Sequence, residues 1–227
     1  MALEVEVLPD PDAVARRGAD VVAASAAAAI DEHGDFTFAV SGGRTPWAMF
    51  AHLAGRMLWE KVTIFQVDER VAPDGDPDRN LTQLEQSLPP GGAADVRAMP
   101  VWSEDLEAAA AVYADALPEQ LDLVHLGLGP DGHTASLVPG DPVLEVRDRD
   151  VAVTGRPYQG HRRMTLTYPA LDRAVGILWL VAGGDKSGAL AGLVAGDRSL
   201  PSAGVRAADQ LVICDRAAAA EIGPGSG

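Results

Sequence analysis

The stretch that decides the fold is Phe36-Thr-Phe-Ala-Val40-Ser41-Gly42-Gly43-Arg44-Thr45-Pro46. Its first five residues are mostly apolar and predict a short buried strand. The paired glycines predict a tight turn, and Pro46 is typical of the first turn of a helix with Thr45 as its N-cap. We expect this helix to run to about Arg56. A strand that enters a helix through such a turn is the repeating unit of an α/β fold.

The same alternation continues on both sides of this stretch. Strands are predicted at 3–8, 36–40, 62–67, 121–128, 151–154, 164–167, 175–181 and 210–214, and helices at 12–33, 46–56, 80–87, 104–117 and from 186 to 195. Asp215 is expected to cap a short final helix, and the tail at 223–227 is expected to fray. The spacer at 89–92 is too short for a domain boundary. We therefore predict one α/β domain over residues 1–227, with a mostly parallel sheet flanked by helices on both faces.

Composition excludes several classes of protein. A net charge of −15 disfavours nucleic acid and anionic membranes as partners. A hydrophobic content of 47% is too high for a disordered chain, and no apolar run approaches the ~20 residues of a membrane helix. Residues 1–10 lack the basic region of a signal peptide, and Cys214 is the single cysteine. These features predict a cytoplasmic protein in a reducing compartment.

Four unusual segments follow predicted strands, at 41–45, 68–70, 129–134 and 183–186. In open α/β sheets, ligands bind outside the carboxyl ends of the strands, so these segments are candidates for one site. The first, Ser41, Gly42, Gly43, Arg44 and Thr45, offers backbone N–H groups at a helix start, which suit a phosphate. A plain strand-to-helix turn is the alternative explanation. The segment matches neither the P-loop nor the dinucleotide-binding spacing.

Asp68 and Arg70 are candidates because they lie on the same side of an extended chain. A carboxylate beside a guanidinium can hydrogen-bond sugar hydroxyls or stabilise a phosphate or oxyanion. The alternative is a surface ion pair that closes a strand.

His133 is the most specific candidate, in Gly127-Leu-Gly-Pro-Asp-Gly-His-Thr-Ala-Ser-Leu137. A histidine at a strand end can transfer protons near neutral pH, and Asp131 can orient it or hold a substrate hydroxyl. The alternative is a histidine that bonds loop carbonyls. The Gly-x-Gly-x-x-Gly spacing in this segment is a weak match to a dinucleotide loop, because Pro130 and the polar residues lie inside it. His125, within the preceding strand, is expected to be a hydrogen-bonded core residue.

Lys186 is expected in the first turn of a helix, where the helix dipole disfavours a cation. An anion shared with the backbone amides would explain this position, and a solvated surface lysine is the alternative. Only Lys61 and Lys186 are lysines among the 18 basic residues.

These motifs together resemble the 6-phosphogluconolactonase family, which also has a glucosamine-6-phosphate deaminase branch of similar fold. The matching segments are Ser41-Gly-Gly-Arg-Thr-Pro46, Asp68-Glu-Arg70 with Asn80, Gly127 to Leu137 with Pro139-Gly140, Arg163-Met-Thr-Leu-Thr167, and Gly183-Gly-Asp-Lys186. The resemblance covers nearly the whole chain. It implies a Rossmann-like domain that hydrolyses 6-phosphoglucono-1,5-lactone to 6-phosphogluconate in the oxidative pentose phosphate pathway.

The resemblance also implies a role for each candidate residue. His133 is expected to be the general base that activates water, with Asp68, Arg70 and Asp131 around the sugar ring. The residues expected on or near the phosphate are Ser41, Gly42, Gly43, Arg44, Thr45 and Lys186, with Arg163, although Arg162 beside it leaves that assignment open. The resemblance implies no metal or organic cofactor. We expect this chain to be a monomer or a weak homodimer.

Three other functions remain to be weighed against the lactonase. The deaminase branch resembles this chain but carries a glutamate five residues after the matched histidine, where this sequence has Val138. A sugar-phosphate sensor would normally come with a basic DNA-binding segment, which this chain lacks. A redox enzyme on a Rossmann sheet is disfavoured by the position of the glycines.

Overall fold

The computed structural model of the chain describes residues 2–89 and 94–223. In chain order its strands and α-helices are β1 (Ala2–Leu8), α1 (Pro11–His33), β2 (Phe36–Val40), α2 (Arg44–Ala51), β3 (Val62–Gln66), β4 (Asp68–Arg70), α3 (Asn80–Ser87), β5 (Asp95–Arg97), α4 (Leu106–Asp115), β6 (Leu123–Leu126), β7 (Val151–Val153), β8 (Arg163–Leu166), α5 (Tyr168–Asp172), β9 (Gly176–Val181), α6 (Ser187–Ala195) and β10 (Asp209–Asp215). The loop predicted at 89–92 and the tail predicted at 223–227 lie largely outside the described residues.

The main sheet of the described residues has seven parallel strands in the order β1-β10-β9-β6-β2-β3-β5. Strands β3 and β5, which follow β2 in the chain, lie on one side of it. Strands β9 and β10, which follow β6, lie on the opposite side of the sheet. The strand order therefore reverses between β2 and β6, which opens a crevice at their carboxyl ends. Ser41 follows β2 and Gly127 follows β6, so two of the predicted functional segments flank this crevice. The predicted parallel α/β sheet is confirmed.

Helices cover both faces of this sheet, as predicted. Along β6, Leu123 packs in the core with α1 and α2, whereas Val124 and Leu126 pack in the core with α4 and α6. This division follows from the alternation of side chains across a strand. In the described ranges, no helix is both long enough and apolar enough to cross a bilayer.

Helix α1 shows why the alanine-rich segment is helical. Asp10 caps its start by accepting a hydrogen bond from the Ala13 N–H at 2.8 Å, and Gly34 ends it in the left-handed conformation. Its buried face includes Val14 and Val22, which pack against the sheet. The predicted bounds of this helix are therefore close to those observed.

A second, three-stranded antiparallel sheet, β4-β8-β7, was not separated from the first by the sequence pattern. The strand predicted at 62–67 ends at Gln66, and the chain bends at Val67. The Val67 N–H still donates to the Val40 carbonyl at 3.1 Å, but its own carbonyl accepts from the Leu166 N–H at 2.8 Å. Asp68 thus begins a new strand, whose partner lies in β8, almost a hundred residues further along the chain.

Three local predictions were wrong or need correction. Helix α2 begins at Arg44 with Gly43 as its N-cap, so Thr45 lies inside the first turn, and the helix ends at Ala51 rather than near 56. Lys186 ends a 3-10 turn and directly precedes α6. His125 is fully buried, as expected, but within residues 2–89 and 94–223 neither of its ring nitrogens has a hydrogen-bond partner.

Candidate active site

A cavity of ≈ 270 Å³ occupies the crevice at the carboxyl ends of β2, β6 and β9. Of the eleven predicted site residues, ten line it: Ser41, Gly42, Gly43, Arg44, Thr45, Asp68, Arg70, His133, Arg163 and Lys186. The eleventh, Asp131, contacts one of these residues instead of the cavity itself. The turns predicted to bind phosphate and the predicted catalytic histidine therefore lie around one space.

A larger cleft of ≈ 700 Å³ lies at the opposite edge of the sheet, at the amino ends of the strands. Acidic side chains, including Glu32, Asp122 and Asp209, contribute to its lining. Such a lining repels an anionic substrate. The smaller cavity is instead lined by Arg70, Arg163, Lys186 and the start of α2. The smaller cavity is therefore the candidate active site.

His133 is held by Asp131, its neighbour two residues before it. The Nδ1 atom of His133 lies 2.5 Å from Oδ1 of Asp131, and the His133 N–H donates to the same oxygen at 3.2 Å. Burial acts to raise the pKa of the Asp131 carboxyl, but its hydrogen bonds with His133 and Tyr158 hold that pKa below its usual range. An ionised Asp131 accepts, so Nδ1 donates and Nε2 is left as the basic nitrogen of a side chain that lines the cavity.

Gly129 allows the histidine to take this position. A Cβ atom at residue 129 would lie 2.0 Å from Nδ1 of His133 and 2.7 Å from Oδ1 of Asp131. The backbone also folds the loop onto itself, since the Gly129 N–H donates to the His133 carbonyl at 2.8 Å. The glycine is thus required by the close approach of the imidazole ring.

Asp68 is buried beneath the cavity and is fully paired. It accepts from the Ser136 hydroxyl at 2.6 Å and from the Asn80 side-chain amide at 3.2 Å, and Nη1 of Arg163 lies 3.8 Å away. Burial raises the pKa of this carboxyl above its usual value, and the hydrogen bond from Ser136 opposes that change. Asp68 therefore presents a hydrogen-bonded carboxyl to a site that is otherwise cationic.

Arg163, rather than Arg162, belongs to the cavity. The Arg163 side chain is 5% exposed, whereas Arg162 is on the surface and does not line the cavity. Nη2 of Arg163 donates to the Tyr158 carbonyl and to Oε1 of Gln159, both at 3.3 Å. Nε has no hydrogen-bond partner among the described residues. Arg70 is less buried and donates to the Asp78 carbonyl. Both guanidinium groups can therefore face an anion in the cavity.

The turn at 41–45 provides the opposite wall. The first backbone N–H groups of α2 have no partner within the helix, which suits an anion at this end of the cavity. The buried hydroxyl of Ser41 has no hydrogen-bond partner in the described structure. Lys186 lines the same wall and pairs with its exposed neighbour Asp185, at 3.3 Å. The cation, the hydroxyl and the amides thus lie on one wall of the cavity.

Gly42 is required for a different reason than the one the sequence suggests. A Cβ atom at this position would lie 2.0 Å from Oδ1 of Asn80, the residue that holds Asp68. The missing side chain at Gly42 thus makes room for Asn80, whereas the sequence suggested that it makes room for a ligand.

Sequence reasoning missed Tyr158 and Gln159, which lie at the tip of the connection between β7 and β8. The Tyr158 hydroxyl donates to Oδ2 of Asp131 at 3.1 Å, and Gln159 lines the cavity. The available signal was local: a Gly at residue 160 between two predicted strands is typical of a hairpin turn. That signal predicts a turn but not its position over the cavity.

Comparison with known proteins identifies the family. A family model described as glucosamine-6-phosphate isomerases/6-phosphogluconolactonase matches residues 9–214. The chain belongs to this family. The resemblance found in the motifs is thereby confirmed.

Individual relatives agree with this membership. A protein of Nostoc sp. strain PCC 7120 named 6-phosphogluconolactonase is 35% identical over 98% of this chain and 99% of its own. The crystal structure of a 6-phosphogluconolactonase from Thermotoga maritima has a TM-score of 0.84 and 24% identity, covering 94% of this chain and 100% of that one. A monomeric glucosamine-6-phosphate deaminase has a TM-score of 0.85 and 18% identity, covering 96% and 100%. The two structures share the fold, so fold alone does not separate the two activities.

Proposed function

We propose that the protein hydrolyses 6-phosphoglucono-1,5-lactone to 6-phosphogluconate, with His133 as the general base. One observation carries the proposal: the His133–Asp131 pair and the cationic, amide-rich turns at 41–45 and 186 line a single cavity of ≈ 270 Å³. A cavity of that size suits one sugar phosphate. The name of the Nostoc relative, which spans nearly the same length, supports the lactone as substrate.

The phosphate is bound by the amides at the start of α2 together with Lys186. Because this group does not react, its binding energy orients the ring and brings the lactone carbonyl toward His133. Arg70, Arg163 and the Asp68 carboxyl then contact the ring hydroxyls and the carbonyl oxygen. This arrangement assigns the phosphate to the wall formed by residues 41–45 and the reacting carbon to the opposite side of the cavity.

Hydrolysis proceeds by attack of water on the carbonyl carbon. Nε2 of His133 takes one proton from the water as its oxygen bonds to the carbon, and a guanidinium stabilises the resulting oxyanion. When the ring C–O bond breaks, the imidazolium returns that proton to the departing ring oxygen. Asp131 stabilises the imidazolium between these two steps, which is why its ionised state matters.

The required acceleration is modest, because a δ-lactone hydrolyses unaided in water. A positioned general base contributes about 10²–10⁴-fold, and oxyanion stabilisation about 10²–10³-fold. No covalent intermediate is needed for such a reaction. The mechanism assigned to these residues therefore has sufficient catalytic power.

The deaminase reaction is the second candidate on this fold. According to the resemblance, it requires a proton-transferring side chain five residues after the histidine, and Val138 at that position is a buried apolar residue. A valine cannot move a proton, and this favours hydrolysis. Ammonia release from glucosamine 6-phosphate would identify the deaminase directly.

The remaining features of the proposal concern the whole molecule. We place the enzyme in the cytoplasm, because its single cysteine, Cys214, is buried and free, which suits a reducing compartment. We propose a single domain over residues 1–227 that acts on a small anionic substrate without a cofactor, as a monomer or weak homodimer. The acidic surface disfavours nucleic acid and anionic membranes as partners.

The test is a coupled assay for 6-phosphogluconate formed from freshly prepared lactone, corrected for spontaneous hydrolysis. His133→Ala should lower kcat by about 10²–10⁴-fold while circular dichroism shows an unchanged fold. His52→Ala removes a histidine outside the cavity and should leave kcat unchanged. Full turnover by the His133→Ala variant would refute the general-base role, and a parent enzyme no faster than water would refute the lactonase function.

A further inference from the structure

The connection between β7 and β8 ends in a tight two-residue turn above the cavity. The Tyr158 N–H donates to the His161 carbonyl at 2.9 Å, and the His161 N–H donates back at 3.3 Å. The two central residues, Gln159 and Gly160, have φ angles of 49° and 87°. Positive φ at both positions is the requirement of a type I′ hairpin turn, which matches the twist of the strands that it joins.

Gln159 is held in a conformation that non-glycine residues seldom adopt. It is one of two non-glycine residues with positive φ in the described part of the chain, and the other, Ala135, also lines the cavity. Backbone strain of this kind persists where surrounding contacts enforce it, and it concentrates at functional sites. The two-residue turn sets this φ angle, and Nη2 of Arg163 holds the side chain by donating to Oε1 of Gln159 at 3.3 Å.

The turn places Tyr158 against both members of the His133–Asp131 pair. Its hydroxyl donates to Oδ2 of Asp131 at 3.1 Å and lies 3.4 Å from Nδ1 of His133. Its ring meets the imidazole edge-on, with centroids 5.2 Å apart and an interplanar angle of 63°. The Arg163 guanidinium lies 5.2 Å from the centre of the same tyrosine ring. The tyrosine is therefore fixed on one side by a cation and on the other by the pair.

We propose that Tyr158 is a positioning residue for the His133–Asp131 pair, an inference that rests on the proposed function of that pair. The Tyr158 hydroxyl donates to Oδ2 of Asp131 and so fixes the orientation of the carboxylate, which keeps Oδ1 directed at Nδ1 of His133. The ring edge limits rotation of the imidazole. Both contacts hold the tautomer in which Nε2 is the basic nitrogen at the cavity.

The hydrogen bond also affects the charge of Asp131. It contributes, with the larger effect of His133, to keeping the pKa of the Asp131 carboxyl low against the opposing effect of burial. Without the hydroxyl this pKa rises, so Asp131 takes up a proton at a higher pH. Loss of the hydroxyl therefore removes one of the contacts that keep Asp131 ionised and paired with Nδ1 of His133.

The test compares Tyr158→Phe with Tyr168→Phe. The first variant keeps the ring and removes only the hydroxyl. The second removes a buried tyrosine hydroxyl that donates to the Pro201 carbonyl at 2.8 Å, outside the cavity, and it controls for a general loss of stability. We measure kcat and KM, together with the ¹⁵N NMR shifts that report which His133 nitrogen carries the proton.

Tyr158→Phe should lower kcat by about tenfold with KM within twofold of the parent, and it should reduce the fraction of the Nδ1–H tautomer. Tyr168→Phe should change none of these quantities. An unchanged kcat and tautomer in Tyr158→Phe would overturn the proposal. A raised KM with unchanged kcat would also overturn it, since the hydroxyl would then bind substrate directly.

Failure of the proposed function is distinguishable from failure of this inference. If the parent enzyme does not hydrolyse the lactone, the proposed function is wrong, and the tautomer measurement alone decides the positioning role. A smaller Nδ1–H fraction in Tyr158→Phe then still supports it, and an unchanged fraction still overturns it.

Discussion

Substitution of Gly129 by alanine displaces the proposed catalytic base without removing it. The added methyl would lie 2.0 Å from Nδ1 and 2.1 Å from Cε1 of His133, where an ordinary contact is at least 3.4 Å. The imidazole must therefore move by about 1.4 Å. Oδ1 of Asp131, at 2.7 Å from the same methyl, must move as well. The backbone at residue 129 is compatible with alanine, because its φ lies outside the left-handed region.

The size of the displacement sets the expected loss. Misplacement of a catalytic group by 1 Å can cost about 10²-fold in rate, which corresponds to about 2.7 kcal/mol in the activation barrier. A hydrogen bond of 2.5 Å between His133 and Asp131 cannot survive a shift of this size unless both side chains move together. We expect kcat to fall by about 10²-fold. The unfolding free energy should fall by about 1 kcal/mol, because the imidazole is partly exposed and can swing outward.

The assay is lactone hydrolysis corrected for the spontaneous rate, with urea unfolding measured in parallel. Gly176→Ala is the matched control, since its added methyl lies 3.5 Å from Leu123 at the far end of the sheet and meets no close contact. It should leave kcat unchanged. The reasoning is refuted if Gly129→Ala keeps more than half of the parent kcat while remaining folded.

Two further predictions concern a cation at the cavity and a buried histidine. Lys186→Ala should raise KM for the lactone while kcat changes little, because it removes a contact to the non-reacting phosphate. Lys61→Ala is the control. An unchanged KM in Lys186→Ala would show that Lys186 does not bind the phosphate. Burial lowers the pKa of His125 to about 3, so below pH 6.5 the unfolded chain binds a proton that the folded protein does not. The free energy of unfolding is therefore retained above pH 6.5 and falls as the pH drops toward 3. In urea unfolding, His125→Leu should reduce the loss of unfolding free energy between pH 7 and pH 5 by about 2 kcal/mol. An equal loss in the parent and in His125→Leu would contradict this assignment.

Much of the candidate site was predictable because its signals are local. The turn at 41–45 and the loop at 129–134 each follow a strand, and parallel strands bring their carboxyl ends to one edge. A mostly parallel sheet therefore brings Ser41, His133 and Lys186 together without knowledge of any long-range contact. The same logic predicted that Asp131 lies beside His133, two residues away.

Other features of the site depend on contacts between distant residues. The bend at Val67 is set by the Leu166 N–H, and Gly42 is required by Asn80. His125 lacks a hydrogen-bond partner only because the core that surrounds it is apolar. None of these long-range contacts produces a periodic or compositional pattern in the amino-acid sequence.

The amino-acid sequence alone determined the alternation of the longer strands and helices, the parallel sheet and the residues that gather at its carboxyl edge, but not the short elements β4, β5 and α5. Hydrophobic periodicity and glycine turns act over a few residues, so they can be read without the fold. Only the tertiary structure decided that a second sheet carries Tyr158 to Asp131, 27 residues away in the sequence. The physical reason is that such a contact depends on how two sheets pack, and packing is a property of the whole chain rather than of either segment.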